Sequence, residues 1–96
     1  MEIICRIIEQ GALQEREYTN QQTGTTEKFA SMGFVLQSGG DTFFAEMVQE
    51  QARKQGQLSR DFYYKAAVAL QARPWTDQQG QQRYENRLTL TRICVL

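Results

Sequence analysis

Two segments of this chain alternate in side-chain character at every second residue. They are residues 28–37, KFASMGFVLQ, and residues 61–73, DFYYKAAVALQAR. Successive side chains of a β-strand point to opposite faces, so this period predicts strands. The second segment is rich in alanine and could compete as a helix, but its alternation continues over five pairs of residues. We therefore predict a β-rich fold with a long, half-buried strand at 61–73.

A first strand is predicted near the N-terminus. Residues 2–9, EIICRIIE, are rich in β-branched side chains and too few for an independent helix. The strand pattern continues, with interruptions, through Gly11 to Tyr18. A glycine inside a strand indicates a bulge or a sharp bend, which would let one strand serve two sides of a small barrel. The polar residues 19–26 are predicted to form a loop.

A hairpin and a short helix are predicted to follow. The glycine-containing segment 38–41 is predicted to be a turn that leads into a third strand at 42–48. Good helix formers then run from 48 to 55, and Gly56 stands where a helix C-terminal cap belongs. Propensity alone does not locate the boundary between the third strand and this helix.

The C-terminal part completes the order of elements. Pro74 cannot donate to a strand ladder, so it either ends the 61–73 strand or lies on an edge. Residues 76–82 are predicted to be a loop and residues 84–96 a last strand. Five strands with one helix between the third and fourth are typical of an OB-type Greek-key barrel. At 96 residues the chain is predicted to be one such domain, all-β with a small α content, over residues 1–96.

Several classes of function are disfavoured by composition. The chain has no histidine, no glycine-rich phosphate loop and no acid pair spaced for a shared site, so we expect no enzyme activity and no cofactor. Its two cysteines, Cys5 and Cys94, would allow one disulfide but resemble two buried thiols more closely. With no acidic cluster beside them they do not complete a metal site. No apolar run is long enough to span a bilayer, and we expect a cytoplasmic protein.

Charge is unevenly distributed along the chain. Its formal net charge is zero, which argues against a nucleic-acid partner. Residues 1–50, however, carry 3 basic and 8 acidic side chains, whereas residues 51–96 carry 8 basic and 3 acidic ones. Such asymmetry is expected when one surface meets an anion, although folding can also mix the two halves again.

One motif is more specific than these patterns. Residues 70–84 read LQARPWTDQQGQQRY. This stretch resembles the strand-loop-strand pattern L-x-x-R-x-W-x-D-x-x-G-x-x-R-Y of the bacterial single-stranded-DNA-binding protein family, an OB-fold family. The resemblance implies sequence-nonspecific binding of single-stranded DNA, or of RNA, in replication, recombination or mobile-element transfer. Weaker agreement covers nearly the whole chain.

Two departures from the family pattern narrow what the resemblance implies. In the family a glycine and a hydrophobic strand follow the helix at once, whereas residues 57–61 intervene here. The family's Gly/Pro/Gln-rich tail with its acidic tip has no counterpart, because this sequence ends at Leu96. Recruitment of protein partners through such a tail is therefore not expected.

Binding of single strands needs aromatic faces for the bases and cations for the phosphates. Trp75 matches the family's base-stacking tryptophan, although it could instead close the barrel end or fill an oligomer interface. Either Phe43 or Phe44 matches a second stacking aromatic, and strand alternation turns one of the two toward the core; we favour Phe43. Asp77 is interpreted as a turn former and Tyr84 as a packing residue. The remaining candidate DNA contacts are Arg73, Arg83, Tyr63, Lys65 and Arg87.

Two further interpretations stay open. An OB module that binds another protein, as in a primosome or conjugation assembly, would use the same aromatics as interface anchors, and the neutral net charge favours it. The first strand is apolar on both faces, and only one face of a strand in so small a barrel reaches the core. A homo-oligomer, dimer or tetramer, that pairs through this strand is therefore expected, as in the family.

Overall fold

A computed structural model describes all 96 residues, Met1 to Leu96. Six strand segments and one short helix follow one another along the chain. They are β1 (Glu2–Gln10), β2 (Gln14–Thr19), β3 (Thr26–Ser38), β4 (Asp41–Val48), α1 (Gln49–Lys54), β5 (Tyr64–Thr76) and β6 (Gln82–Val95). The fold is therefore mostly β, and its helix lies between the third and fourth long strands of the barrel, as predicted.

β1 and β2 are the two halves of the predicted first strand. The chain bends between them at Gly11, whose N–H donates to the Gly33 carbonyl at 2.8 Å. A side chain at Gly11 would bring a Cβ to 3.2 Å from that carbonyl oxygen, so the close approach of the two backbones favours glycine. The bent strand thus serves two sides of the barrel, and the predicted count of five barrel strands holds.

The strands close into one ring. The order β1-β5-β6-β4-β3-β2 is completed by an additional pairing of β1 with β3. All neighbours are antiparallel except β4 and β6, which run parallel at Glu46 and Thr89. This connectivity is that of the OB-type barrel that the element order predicted.

The core fills the inside of this ring. Its inward side chains include Phe34 and Leu36 of β3, Val68 of β5 and Leu90 of β6, all 2% exposed or less. The alternation predicted for β3 is confirmed, with Met32, Phe34 and Leu36 turned inward together. On β5 only Tyr64, Ala66 and Val68 are buried; the same face is open from Leu70 onward.

α1 covers one end of the barrel and protects a strand edge. β4 pairs with β3 only as far as Ser31 and Val48, where the helix begins. Beyond that point the side chains of Gln49 and Arg53 replace the missing strand: Gln49 Oε1 accepts from the Ala30 N–H at 3.2 Å, and Arg53 donates to the Lys28 carbonyl at 3.1 Å. The predicted cap at Gly56 is wrong, because the helix ends through Gln55 in an extended conformation. No helix in the fold has the length and apolarity that crossing a membrane would require.

The two cysteines differ in their surroundings. Cys5 is buried in the core, and burial raises the pKa of its thiol. Cys94 is exposed on the outer face of β6, opposite Lys65, and neither cysteine is disulfide-bonded. The interpretation as two buried thiols is therefore correct for Cys5 and wrong for Cys94.

The hairpin of β5 and β6 extends well beyond the barrel. β1 pairs with β5 only over Tyr64–Ala67, and β4 pairs with β6 only at Thr89. The paired stretch beyond these contacts, residues 70–88, is called the ribbon below. It makes the molecule 43 Å long, with a radius of gyration of 15.6 Å. A compact domain of 96 residues would have a radius of gyration of about 12.5 Å.

Candidate functional site

One face of the ribbon carries the motif's tryptophan and arginines. Trp75 is directly opposite Arg83, Arg73 is opposite Glu85, and Arg87 is opposite Gln71. These residues share a face because side chains two apart on a strand point the same way. The Trp75 side chain is 49% exposed, so an aromatic surface is open to a ligand on the same face as three arginines.

The three arginines differ in how free their charges are. Arg83 Nε donates to Asp77 Oδ2 at 3.0 Å, and Arg87 Nε donates to Glu85 Oε1 at 3.1 Å. Arg73 forms no salt bridge and no side-chain hydrogen bond. The ribbon face is therefore only weakly basic, and Arg73 holds its one unpaired charge.

The loop at the ribbon tip is organised by Asp77. Its Oδ1 accepts from the backbone N–H groups of Gln79 at 3.0 Å and Gln81 at 2.9 Å. Gly80 has a φ of +79°, which favours glycine at this position. The hydrogen bond from Arg83, followed by those from Gln81 and Gln79, lowers the pKa of the Asp77 carboxyl. The interpretation of Asp77 as a turn former is confirmed.

The choice of Phe43 as the second stacking aromatic is wrong. Phe43 is partly buried against the core, whereas Phe44 lies on the outer face and is 56% exposed. The same alternation places Ala45 and Met47 inside with Phe43 and turns Glu46 outward with Phe44. The polar Glu46 was thus the sequence signal that assigns Phe44 to the outside.

One edge of the Phe44 ring lies against a glycine. A Cβ built on Gly33 would be 2.7 Å from ring atoms Cε2 and Cζ, which means that the ring occupies the space of a missing side chain. Beside the ring is an open depression with a volume of about 250 Å³, lined also by Gly11, Val35, Glu9 and Glu46. On its other side Phe44 borders a second depression that it shares with Glu85, Arg87 and Leu88.

Tyr63 and Lys65 do not join the ribbon face. Tyr63 precedes β5, and its ring lies 5.3 Å from the Arg6 guanidinium carbon. Lys65 forms a salt bridge with Glu2 at 3.5 Å. Ten residues of strand separate Lys65 from Trp75, which corresponds to about 30 Å. Tyr63 and Lys65 are therefore separate from the other candidate DNA contacts, Arg73, Arg83 and Arg87.

The ribbon's other face is uncharged. It is the continuation of the core face beyond the barrel, and Leu70 and Tyr84 on it are 60% and 66% exposed. The packing role expected for Tyr84 is wrong, because no strand of the barrel reaches that far along the ribbon. Pro74, paired with Tyr84, lies on the open edge of the two-stranded ribbon, one of the two places expected for it.

Comparison with known proteins adds no assignment. No protein-family model matches the sequence, and no curated protein matches it at a significant level.

Proposed function

We propose that this protein binds single-stranded DNA through the ribbon and the adjoining outer face of β3 and β4, without catalysing a reaction and without a cofactor. It would stack bases on Trp75 and contact phosphates with Arg73, Arg83 and Arg87. One observation carries the proposal: a half-exposed tryptophan shares one face of a two-stranded ribbon with three arginines. We propose a cytoplasmic role in replication, recombination or mobile-element transfer, with membership of the single-stranded-DNA-binding family as part of the same hypothesis.

A continuous path leads from the ribbon to the barrel. OB barrels bind oligonucleotides on the outer face of their second and third strands and with the adjoining loops. Those strands are β3 and β4 here, and Phe44 is an exposed aromatic on that face. The depression shared by Phe44 and Arg87 joins this face to the ribbon. A strand stacked on Trp75 could therefore continue past Arg87 to Phe44.

A homo-oligomer is part of the proposal. Ile4 and Ile8 on the outer face of β1 are 55% and 43% exposed. Residues Glu2 to Cys5 pair with β5 alone, because pairing with β3 begins only at Arg6. An exposed apolar face beside an open strand edge supports pairing between two copies of β1. Two or more linked ribbons would raise the effective concentration of weak DNA contacts.

A protein-binding module is the second candidate function. The uncharged ribbon face with Leu70 and Tyr84 favours it, because exposed apolar residues of this kind serve as interface anchors. RNA would be recognised by the same stacking and phosphate contacts as DNA. A titration with oligo-dT separates DNA binding from a protein-binding role, and competition by oligo-U separates DNA from RNA.

The test is a titration with oligo-dT of about 16 nucleotides, an upper length for one OB barrel. Trp75 is the only tryptophan, so its emission reports on the ribbon face directly. We expect quenching, and an affinity that falls about 20-fold between 50 and 200 mM salt if three phosphates are contacted. No quenching at low salt would exclude the ribbon as a DNA site.

Variants assign the contacts. Trp75→Ala should weaken binding of a fluorescein-labelled oligo-dT, followed by anisotropy, about 5- to 150-fold, whereas Trp75→Phe should retain most of the affinity. Tyr84→Ala is the matched control, since Tyr84 is an exposed aromatic on the opposite face of the same ribbon. If Tyr84→Ala weakens binding as much as Trp75→Ala, the assignment of the DNA to the Trp75 face is wrong. A competing oligo-U of the same length measures the preference for DNA over RNA.

A further inference from the structure

The depression beside Phe44 has an unusual charge for a surface on the path proposed for nucleic acid. Its lining includes the carboxylates of Glu9 and Glu46 and no lysine or arginine. Neither carboxylate forms a salt bridge or a side-chain hydrogen bond. A phosphate would be repelled here, so a bound strand would have to turn a base, and not its backbone, into the depression.

The geometry presents a flat ring and an acceptor side by side. An edge of the Phe44 ring lies against Gly33, and Glu46 is the direct cross-strand neighbour of Gly33 on the same outer face. Directly opposed residues have Cβ positions about 5 Å apart, so the Glu46 side chain starts at the rim of the ring. A base stacked on Phe44 would bring one of its edges to this carboxylate.

The chemistry of the bases distinguishes them at such a site. An ionised carboxylate only accepts hydrogen bonds, and its two oxygens take a bidentate pair of donors best. Guanine alone offers two adjacent donors on its Watson–Crick edge, N1–H and the N2 amino group. Adenine and cytosine place an acceptor beside their single amino group, and thymine flanks its one N–H with two carbonyls.

We propose that the depression is a guanine subsite, in which Phe44 stacks on the base and Glu46 accepts hydrogen bonds from N1–H and the N2 amino group. This inference rests on the proposed binding of single-stranded DNA and adds a base preference to it. Glu9, on the far side of the depression opposite Val35, keeps phosphates out. The ribbon face around Trp75 has no free carboxylate of this kind, because Asp77 and Glu85 are paired with arginines. Base stacking on Trp75 is therefore expected to be independent of the DNA sequence.

The experiment compares labelled dT 12-mers that carry guanine, inosine, adenine or cytosine at every third position, in lithium buffer to prevent quadruplexes. Anisotropy titrations should show guanine binding about 5- to 150-fold more tightly than plain dT, the discrimination expected of a bidentate contact. The inosine oligomer, whose bases lack the N2 amino group, should bind only slightly more tightly than plain dT. In Glu46→Gln the guanine and inosine oligomers should bind alike, whereas Glu17→Gln, an exposed carboxylate on β2, should keep the preference.

The outcomes separate this inference from the function on which it rests. If all the oligomers bind equally and Trp75→Ala weakens them all, the DNA-binding function stands and the guanine subsite is overturned. If no oligomer binds, both fail. A cationic side chain could also lie between an aromatic ring and carboxylates. Backbone amide shifts at Gly33 and Glu46 caused by acetyl-arginine amide, and not by the guanine oligomer, would overturn the subsite in favour of a basic peptide.

Discussion

At the scale of single residues, Asp77 shows how one side chain shapes the proposed binding face. It receives two backbone hydrogen bonds and the Arg83 side chain, and it thereby connects the tip of the ribbon to the strand that carries Arg83. Arg83 is directly opposite Trp75. The position of the Arg83 guanidinium beside the tryptophan therefore depends on Asp77, which itself contacts no DNA in the proposed complex.

This dependence predicts a pH response of the loop. The Asp77 pKa is lower in the folded protein than in the unfolded chain, so the carboxylate stabilises the loop above about pH 3.9 and loses this effect as pH falls through the lowered value. We expect the amide shifts of Gln79 and Gln81 to titrate with a midpoint below 3.9, and Asp77→Asn to abolish that titration. Glu85→Gln is the control that should leave it intact. A midpoint at or above 3.9 would contradict the assignment.

At the scale of elements, the junction of β4 and α1 shows what stabilises the barrel edge. Gln49 has a φ of +55°, an uncommon conformation for a residue with a side chain. Ala30 is fully buried, and the Gln49 side chain supplies the acceptor for its N–H. The contact therefore offsets the cost of a left-handed conformation.

A pair of variants separates the two effects at this junction. Gln49→Ala leaves the Ala30 N–H without its acceptor and should lower the free energy of unfolding by about 1–3 kcal/mol. Gln49→Gly loses the same hydrogen bond but fits the backbone angle, so it should be less destabilising than alanine. Chemical denaturation measures both. Gln57→Ala, at an exposed glutamine without side-chain hydrogen bonds, should change stability by less than about 0.5 kcal/mol. If Gln49→Ala equals this control, the bond to Ala30 contributes nothing.

At the scale of the whole molecule, a single chain leaves two apolar surfaces open to solvent. One is the outer face of β1 with Ile4 and Ile8; the other is the uncharged ribbon face with Leu70 and Tyr84. An isolated two-stranded ribbon is only marginally stable in water, so a bound ligand or partner would stabilise the ribbon more than the barrel.

The proposed oligomer can be tested at these two surfaces. Light scattering after gel filtration should give a mass of two or four times 11.1 kDa for the wild-type chain. Ile4→Glu places a charge in the proposed β1 interface and should reduce the mass to one chain, whereas Leu70→Glu should leave the oligomer intact. Dissociation by Leu70→Glu alone would move the interface to the ribbon. A wild-type mass of 11.1 kDa would exclude the oligomer.

Local chemistry was sufficient to predict most of the elements. Alternation identified β3 and β5, Gly11 marked the bend between β1 and β2, and the glycine-containing segments marked the turns, because each of these signals depends on neighbouring residues of one strand or loop. The order of elements was then enough to predict the barrel. The alternation of β4 was also enough to place Phe44 on the outer face, because Phe44 shares that face with the charged Glu46.

Only the tertiary structure decided which of these faces are covered. Leu70 continues the alternation of Val68 but is exposed, because the barrel strands end before they reach it. Cys94 is open for a similar reason: it lies on the outer face of β6, which no other part of the chain covers. The Phe44 depression combines β1, β3 and β4, and no single strand predicts it. Alternation is a property of one strand, whereas burial and the meeting of side chains depend on which strands lie beside it.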